Sequence, residues 1–95
     1  MEGFKPKPLD IWAFGVSLYA YVTQKLPFYN TELQELERMI REDEPQYPDD
    51  MSPNLKDLLE RIFEKDPEKR ICIEGILRHK WMEEPPELGV PEFKI

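Results

Sequence analysis

The sequence predicts an all-α fold of about four helices joined by loops. Three observations carry that reading. Apolar residues return at helical spacing in two stretches, Leu33 to Ile40 and Leu55 to Phe63. A third stretch, Pro8 to Gln24, is apolar around most of its circumference and holds one charge, Asp10, in seventeen residues. Nowhere does the chain alternate apolar and polar residues with the period of two that marks a strand, and it has no internal repeat or low-complexity tract.

Pro6 and Pro8 hold residues 1–8 as an extended connector, so the first helix is expected from Leu9 onward. On a helical wheel Ile11, Trp12, Phe14, Val16, Leu18, Tyr19, Tyr21 and Val22 cover well over half the circumference, and Ala13, Ser17 and Ala20 fill the rest. Such a helix needs protein on every side, more than the remainder of this chain can supply. Lys25, Leu26 and Pro27 end it. Asn30 or Thr31 can cap the next helix, and Thr31 and Gln34 have capping-box spacing. That helix is expected to run to Glu42, with Leu33, Leu36, Met39 and Ile40 as its apolar stripe and Glu32, Glu35, Glu37, Arg38, Arg41 and Glu42 on a wet face. Glu37 and Arg41 stand at the i, i+4 spacing that gives ~0.2–0.5 kcal/mol.

Residues 43–51 hold two prolines and four acids, a loop composition. Ser52-Pro53 then supplies an N-cap hydroxyl and a proline at the first helical position. The third helix follows with Leu55, Leu58, Leu59, Ile62 and Phe63 on one stripe, and Asp66-Pro67 stops it. A short fourth helix is expected over Ile73 to Arg78, with Ile73, Ile76, Leu77 and Trp81 turned inward and Gly75 costing ~1 kcal/mol relative to alanine. Three prolines in residues 83–95 predict an extended, acidic tail.

Composition narrows the function classes. A chain of 95 residues allows one domain at most, and a net charge of -7 repels nucleic acid and anionic membrane, leaving basic or neutral proteins as the expected partners. Cys72 and His79 are the only residues of their types, so neither a disulfide framework nor a zinc site made by these two alone is available. A reducing location, cytoplasmic or nuclear, is expected. The first residues lack the blocks of a signal peptide, and the apolar helix falls short of the ~20 residues that span a bilayer.

Three clusters occur in order: D-I-W-A-F-G-V-S-L-Y (Asp10 to Tyr19) with Leu26-Pro27-Phe28, then D-P-E-K-R (Asp66 to Arg70), then H-K-W (His79 to Trp81). As a set they resemble the C-terminal lobe of a eukaryotic serine/threonine protein kinase, over residues 9–82 and a few residues before, and L-K-D-L-L-E-R-I-F-E-K-D-P-E-K-R-I looks closest to the calmodulin-dependent kinase kinase branch. The resemblance implies that the apolar helix is the lobe's central F helix and that the next three are G, H and I. It implies structural roles for Asp10, Trp12, Gly15, Pro27, Phe28, Arg70, His79 and Trp81. The aspartate matching Asp10 holds the catalytic loop in the family; without that loop Asp10 reads as a cap and dipole group. The arginine matching Arg70 pairs with the glutamate of an Ala-Pro-Glu motif that this chain lacks, so Arg70 is expected either to face solvent or to find a substitute acid. His79 and Trp81 match a helix end, and Cys72 stands where the family often has a capping threonine. Ala20, Gln24 and Lys80 depart from the family's frequent glutamate, glycine and proline.

Phosphoryl transfer in kinases needs a glycine-rich loop, a nucleotide-binding lysine, a catalytic aspartate and metal ligands. Gly3, Gly15, Gly75 and Gly89 are too dispersed for that loop, and neither H-R-D nor D-F-G occurs. The chain alone is therefore expected to hold no catalytic, cofactor-binding or metal-binding residue; ATP and magnesium are implied only for a complete parent kinase. Its expected work is that of a scaffold and docking surface, with Glu32, Glu35, Arg38 and Arg41 as the docking face. The uncovered F helix is expected to drive self-association or partner binding. Two other readings are a stand-alone, non-catalytic helical binding module and an unrelated helical domain, which the ordered clusters make improbable.

Overall fold

The computed structural model describes residues 5–84. Its regular elements are α1 (Pro8–Thr23), α2 (Leu33–Glu42), α3 (Pro53–Ile62), α4 (Ile73–Leu77) and a 3-10 turn (Lys80–Glu83). The fold is all-α, as predicted, and no strand occurs among the described residues.

α3 is the element around which the others are arranged. Ser52 Oγ accepts from the Leu55 N–H at 3.4 Å, and Pro53 occupies the first turn, where a missing donor costs nothing. From that start the predicted stripe turns inward: Leu58, Leu59 and Ile62 are fully buried, with Leu55 and Phe63 close behind. Each such side chain contributes ~1.5–3 kcal/mol when taken from water. Lys56, Glu60 and Arg61 face outward on the same helix.

α1 lies across α3 on Ile11, Gly15 and Tyr19, its three buried residues. It begins one residue earlier than expected, with Pro8 in the first turn, and the Asp10 carboxylate accepts from the Lys7 N–H at 2.8 Å to close the helix start. Its end is set by Gln24, which adopts the left-handed conformation with φ 62° and donates its N–H to Ala20 O at 2.8 Å. A glycine fits that conformation without the ~1 kcal/mol penalty a Cβ brings. Gln24 is held there by its side-chain amide, which donates to Tyr21 O at 2.9 Å.

The remaining elements differ from expectation in detail. No residue of α2 is fully buried; of its apolar stripe Leu33 and Ile40 are exposed, and Leu36 and Met39 reach partial cover. The Thr31–Gln34 capping box does not form. Asn30 Oδ1 accepts from the Glu32 N–H at 2.8 Å, and Glu32 takes the cap position without a side-chain bond. Arg41 approaches Glu42 at 3.6 Å instead of Glu37. α4 ends one residue sooner than expected, and Leu77 is 66% exposed while Ile76 is buried. Leu77 lies within the helix but about 100° round it from Ile76, so with Ile73 and Ile76 set on the core it faces solvent. Cys72 caps α4 without a side-chain bond. Glu83 falls in the 3-10 turn, not in an extended tail, and Glu84 is bonded to Ser52 at 2.9 Å and Asn54 at 2.5 Å. The rest of the expected tail, like residues 1–4, lies outside the described residues.

The loop after α2 is packed against the core. Tyr19 donates its hydroxyl to Gln46 O, the Tyr47 ring meets Tyr19 edge-on at 6.0 Å, and Pro45 is buried. Burial, then the charges of Glu60 and Glu44, pushes the Tyr47 phenol above its ordinary range.

Candidate functional site

The residues that carry the motif clusters converge where the start of α1 meets the segment after α3. Arg70 takes neither of its two expected environments. Its guanidinium donates to three carbonyl oxygens, Glu64 at 3.0 Å, Pro8 at 2.9 Å and Lys65 at 3.4 Å, and its Cζ lies 4.9 Å from the Trp12 ring centre. One planar fork thus ties the first residue of α1 to the turn that follows α3, a geometry lysine cannot copy. Burial draws Arg70 below the usual arginine range, against the pull of Glu64 and Asp66.

Lys65, which the sequence did not single out, does equivalent work for α2. Its ammonium donates to Ile40 O and, at 2.6 Å, to Asp43 O, so a cation sits on the carbonyl end of that helix where the dipole favours it. The same ammonium lies 4.7 Å from the Phe28 ring centre and 5.6 Å from that of Trp12. Desolvation holds Lys65 below the ordinary lysine range, with Glu44 and Asp43 opposing.

Around these two cations stands an aromatic cluster. Trp12 stacks on Phe28 at 5.9 Å and meets Phe63 edge-on at 5.2 Å; Phe28 meets Phe63 at 6.1 Å. Pro27 and Phe28 are buried, so the segment leaving α1 folds back onto its own helix. Gly15 faces Ile62: a Cβ placed there would lie 2.2 Å from Ile62 Cγ2. The close approach is to a side chain of α3.

His79 and Trp81 form a second group at the far end of α3. His79 Nδ1 accepts from the Trp81 N–H at 3.0 Å and so starts the 3-10 turn, while Nε2 lies 2.7 Å from Asp57 Oδ2. Arg61 Nε reaches the same oxygen at 2.8 Å. The Arg61 hydrogen bond first, and that of His79 second, hold the Asp57 carboxyl below the usual aspartate range. Because the folded value lies below the unfolded one, this contribution is full above pH 3.8 and is lost as pH falls through the folded value. Asp57→Asn is therefore expected to flatten the acid limb: from neutral pH to below pH 3.8 its urea midpoint should drop less than that of the unsubstituted chain.

On the α2 face, Arg38 is already engaged, by Glu35 at 2.6 Å and Asp43 at 3.0 Å. Glu35 is held below the usual glutamate range by the Arg38 hydrogen bond, and Arg38 above that of arginine. Glu32 and Arg41 are exposed and complete the face.

No group of three His, Cys, Asp or Glu side chains among the described residues converges as metal ligands. Gly15 and Gly75 lie inside helices against Ile62 and Ile71, not in a phosphate-cradling loop. No helix of the described residues is long and apolar enough to cross a membrane.

The motif clusters thus define an all-α unit in which an apolar α1 is tied to α3 by the arginine of a D-P-x-x-R turn, with H-x-W closing the other end. Residues 3–82 match the protein kinase domain family. Protein kinase kin1 of Schizosaccharomyces pombe is 38% identical over 88 residues, covering 88% of this chain and 10% of that protein. Serine/threonine-protein kinase ppk34 of the same yeast is 38% identical over 84 residues, covering 88% of this chain and 24% of that protein. CBL-interacting protein kinase 1 of Oryza sativa subsp. japonica is 40% identical over 82 residues, covering 86% and 18%. The chain belongs to the protein kinase domain family. It spans between about a tenth and a quarter of the length of these curated relatives.

Proposed function

We propose that this chain works as a scaffold and protein-docking segment of the C-terminal lobe of a serine/threonine protein kinase, and that alone it transfers no phosphate. The observation that carries the reading is the divided surface of α1. One face, Ile11, Gly15 and Tyr19, is buried on α3; the opposite flank holds Leu9 at 74% and Phe14 at 44% exposure with Ala13 and Ser17 between them. Asp10 is the only charge on that flank. An apolar flank of this kind costs free energy in water and fits a helix whose second side is covered by further protein. The family resemblance supplies that cover as the catalytic loop and activation segment of a complete parent, which would transfer the γ-phosphate of ATP to serine or threonine. The α2 face of Glu32, Glu35, Arg38 and Arg41 would meet a protein partner.

The purified chain, incubated with radiolabelled ATP, magnesium and a mixed serine/threonine peptide pool, is expected to incorporate no label above a protein-free control. Saturating ATP is expected to leave its melting temperature unchanged. Measurable turnover would refute the proposal.

A further inference from the structure

Between the outer face of α3 and the segment from α4 into the 3-10 turn runs an open groove of about 660 Å3, separate from both α1's flank and the α2 face. Its volume lies within the ~300–1,000 Å3 of ordinary ligand sites. Arg61, Arg78, His79 and Lys80 stand around it, Ile71 and Gly75 give it an apolar floor, and Asp57 is its one lining acid. This charge balance runs against the chain as a whole, whose net charge is -7.

The single acid is also the most occupied group in the groove. Asp57 is shared between Arg61 at 2.8 Å and His79 at 2.7 Å. Arg78 and Lys80 make no ion pair among the described residues; Glu74 acts on Arg78 only through its field. At the far end Asn54, also in the lining, gives its amide to Glu84 at 2.5 Å, so one carboxylate of this chain already sits at the mouth. Two cations without an ion pair among the described residues, a third held in register by Asp57, and a floor that accepts an apolar side chain form a pattern complementary to acids spaced by an apolar residue.

We propose that this groove docks an acidic peptide segment of a protein partner, its carboxylates on Arg78, Lys80 and the outer side of Arg61, and an apolar side chain over Ile71. The Asp57–His79 bond fixes the turn that presents Lys80, and so positions the groove without touching the peptide. Charge pairs at such a rim give selectivity and salt sensitivity more than tight binding.

The test is fluorescence anisotropy of the full chain with a labelled peptide of alternating glutamate and leucine, against glutamine–leucine and lysine–leucine controls. Saturable binding of the glutamate peptide alone, weakened as salt rises, is expected. Arg78→Ala with Lys80→Ala should weaken it at least about fivefold, and Lys25→Ala, at an exposed lysine that follows α1, should leave it unchanged. Far-UV circular dichroism checks that the double variant is folded, and amide shift mapping on the unsubstituted chain gives a readout independent of any variant, with changes expected at Arg61, Arg78, His79 and Lys80. Equal binding of the glutamine peptide, indifference to the double variant, shifts elsewhere, or tighter capture of single-stranded nucleic acid through the same residues would each overturn the proposal.

Discussion

Phe63→Ala is expected to lower the unfolding free energy by ~3–5 kcal/mol, the largest effect of any single truncation in this chain. Phe63 is 1% exposed and closes α3 at the point where three aromatic rings meet it: Trp12 at 5.2 Å, Phe28 at 6.1 Å and Tyr19 at 6.3 Å. Trp12 and Tyr19 belong to α1 and Phe28 to the segment that leaves it, so one ring packs against α1 at two positions and against its exit segment at a third. Its loss removes buried apolar area and leaves a void walled by the stacked Trp12–Phe28 pair and the Tyr19 ring. Small domains have ~5–15 kcal/mol in total, so the variant should lose a large share of its stability and unfold at much lower urea. Leu77→Ala, at a side chain 66% exposed, is the control and should stay within ~0.5 kcal/mol of the unsubstituted chain. Urea unfolding followed by circular dichroism at 222 nm checks both, and similar midpoints for the two variants would contradict the packing described.

The second large effect concerns the contact of α1 with α3. A methyl group at Gly15 would fall 2.2 Å from Ile62 Cγ2 and 3.2 Å from Phe63 Cε1. Ile62 is fully buried, and a β-branched side chain in a helix has one strongly preferred χ1 rotamer, so Cγ2 cannot swing aside. Overpacking of this kind costs ~1–3 kcal/mol, more than the ~1 kcal/mol that alanine returns through helix propensity. Gly15→Ala should therefore destabilise, although at an exposed helical site the same substitution stabilises. Ile62→Ala alone should cost ~2–5 kcal/mol through its cavity. In that background the 2.2 Å contact is gone and the tightest that remains is Phe63 Cε1 at 3.2 Å, so Gly15→Ala should become neutral or stabilising. This reversal of sign in a double-mutant cycle is the signature of direct contact; additive effects would place the two residues apart.

Legibility in the sequence followed the range of the interaction. α3 was readable from Ser52-Pro53 to Phe63 because its start signal and its stripe are both local, and the stripe is the buried set. Local signals failed where two of them competed: Asn30 and Thr31 were both fit to cap α2, and Asn30 instead closes a turn onto Glu32. Leu77 was misplaced because so short a helix fits more than one apolar arc, and the core takes the arc of Ile73 and Ile76. At the site, the motif positions of Arg70 and His79 were visible but their partners were not. Arg70 reaches Pro8 across 62 residues of chain, and Lys65 reaches Asp43 across 22. Carbonyl oxygens carry no residue-type signature, so no pattern of letters announces them as acceptors. The protein kinase family was legible only through the three motif clusters taken as a set, since no single helix stripe distinguishes it.

The claim that α1 keeps one flank for further protein is tested most directly by sedimentation velocity of the purified chain with ANS fluorescence on the same samples. Leu9 and Phe14, exposed at 74% and 44%, should make the chain associate as concentration rises and bind the dye, and Leu9→Glu with Phe14→Glu should abolish both while the far-UV spectrum is kept. A compact monomer of the unsubstituted chain that leaves ANS dark at every concentration would contradict it.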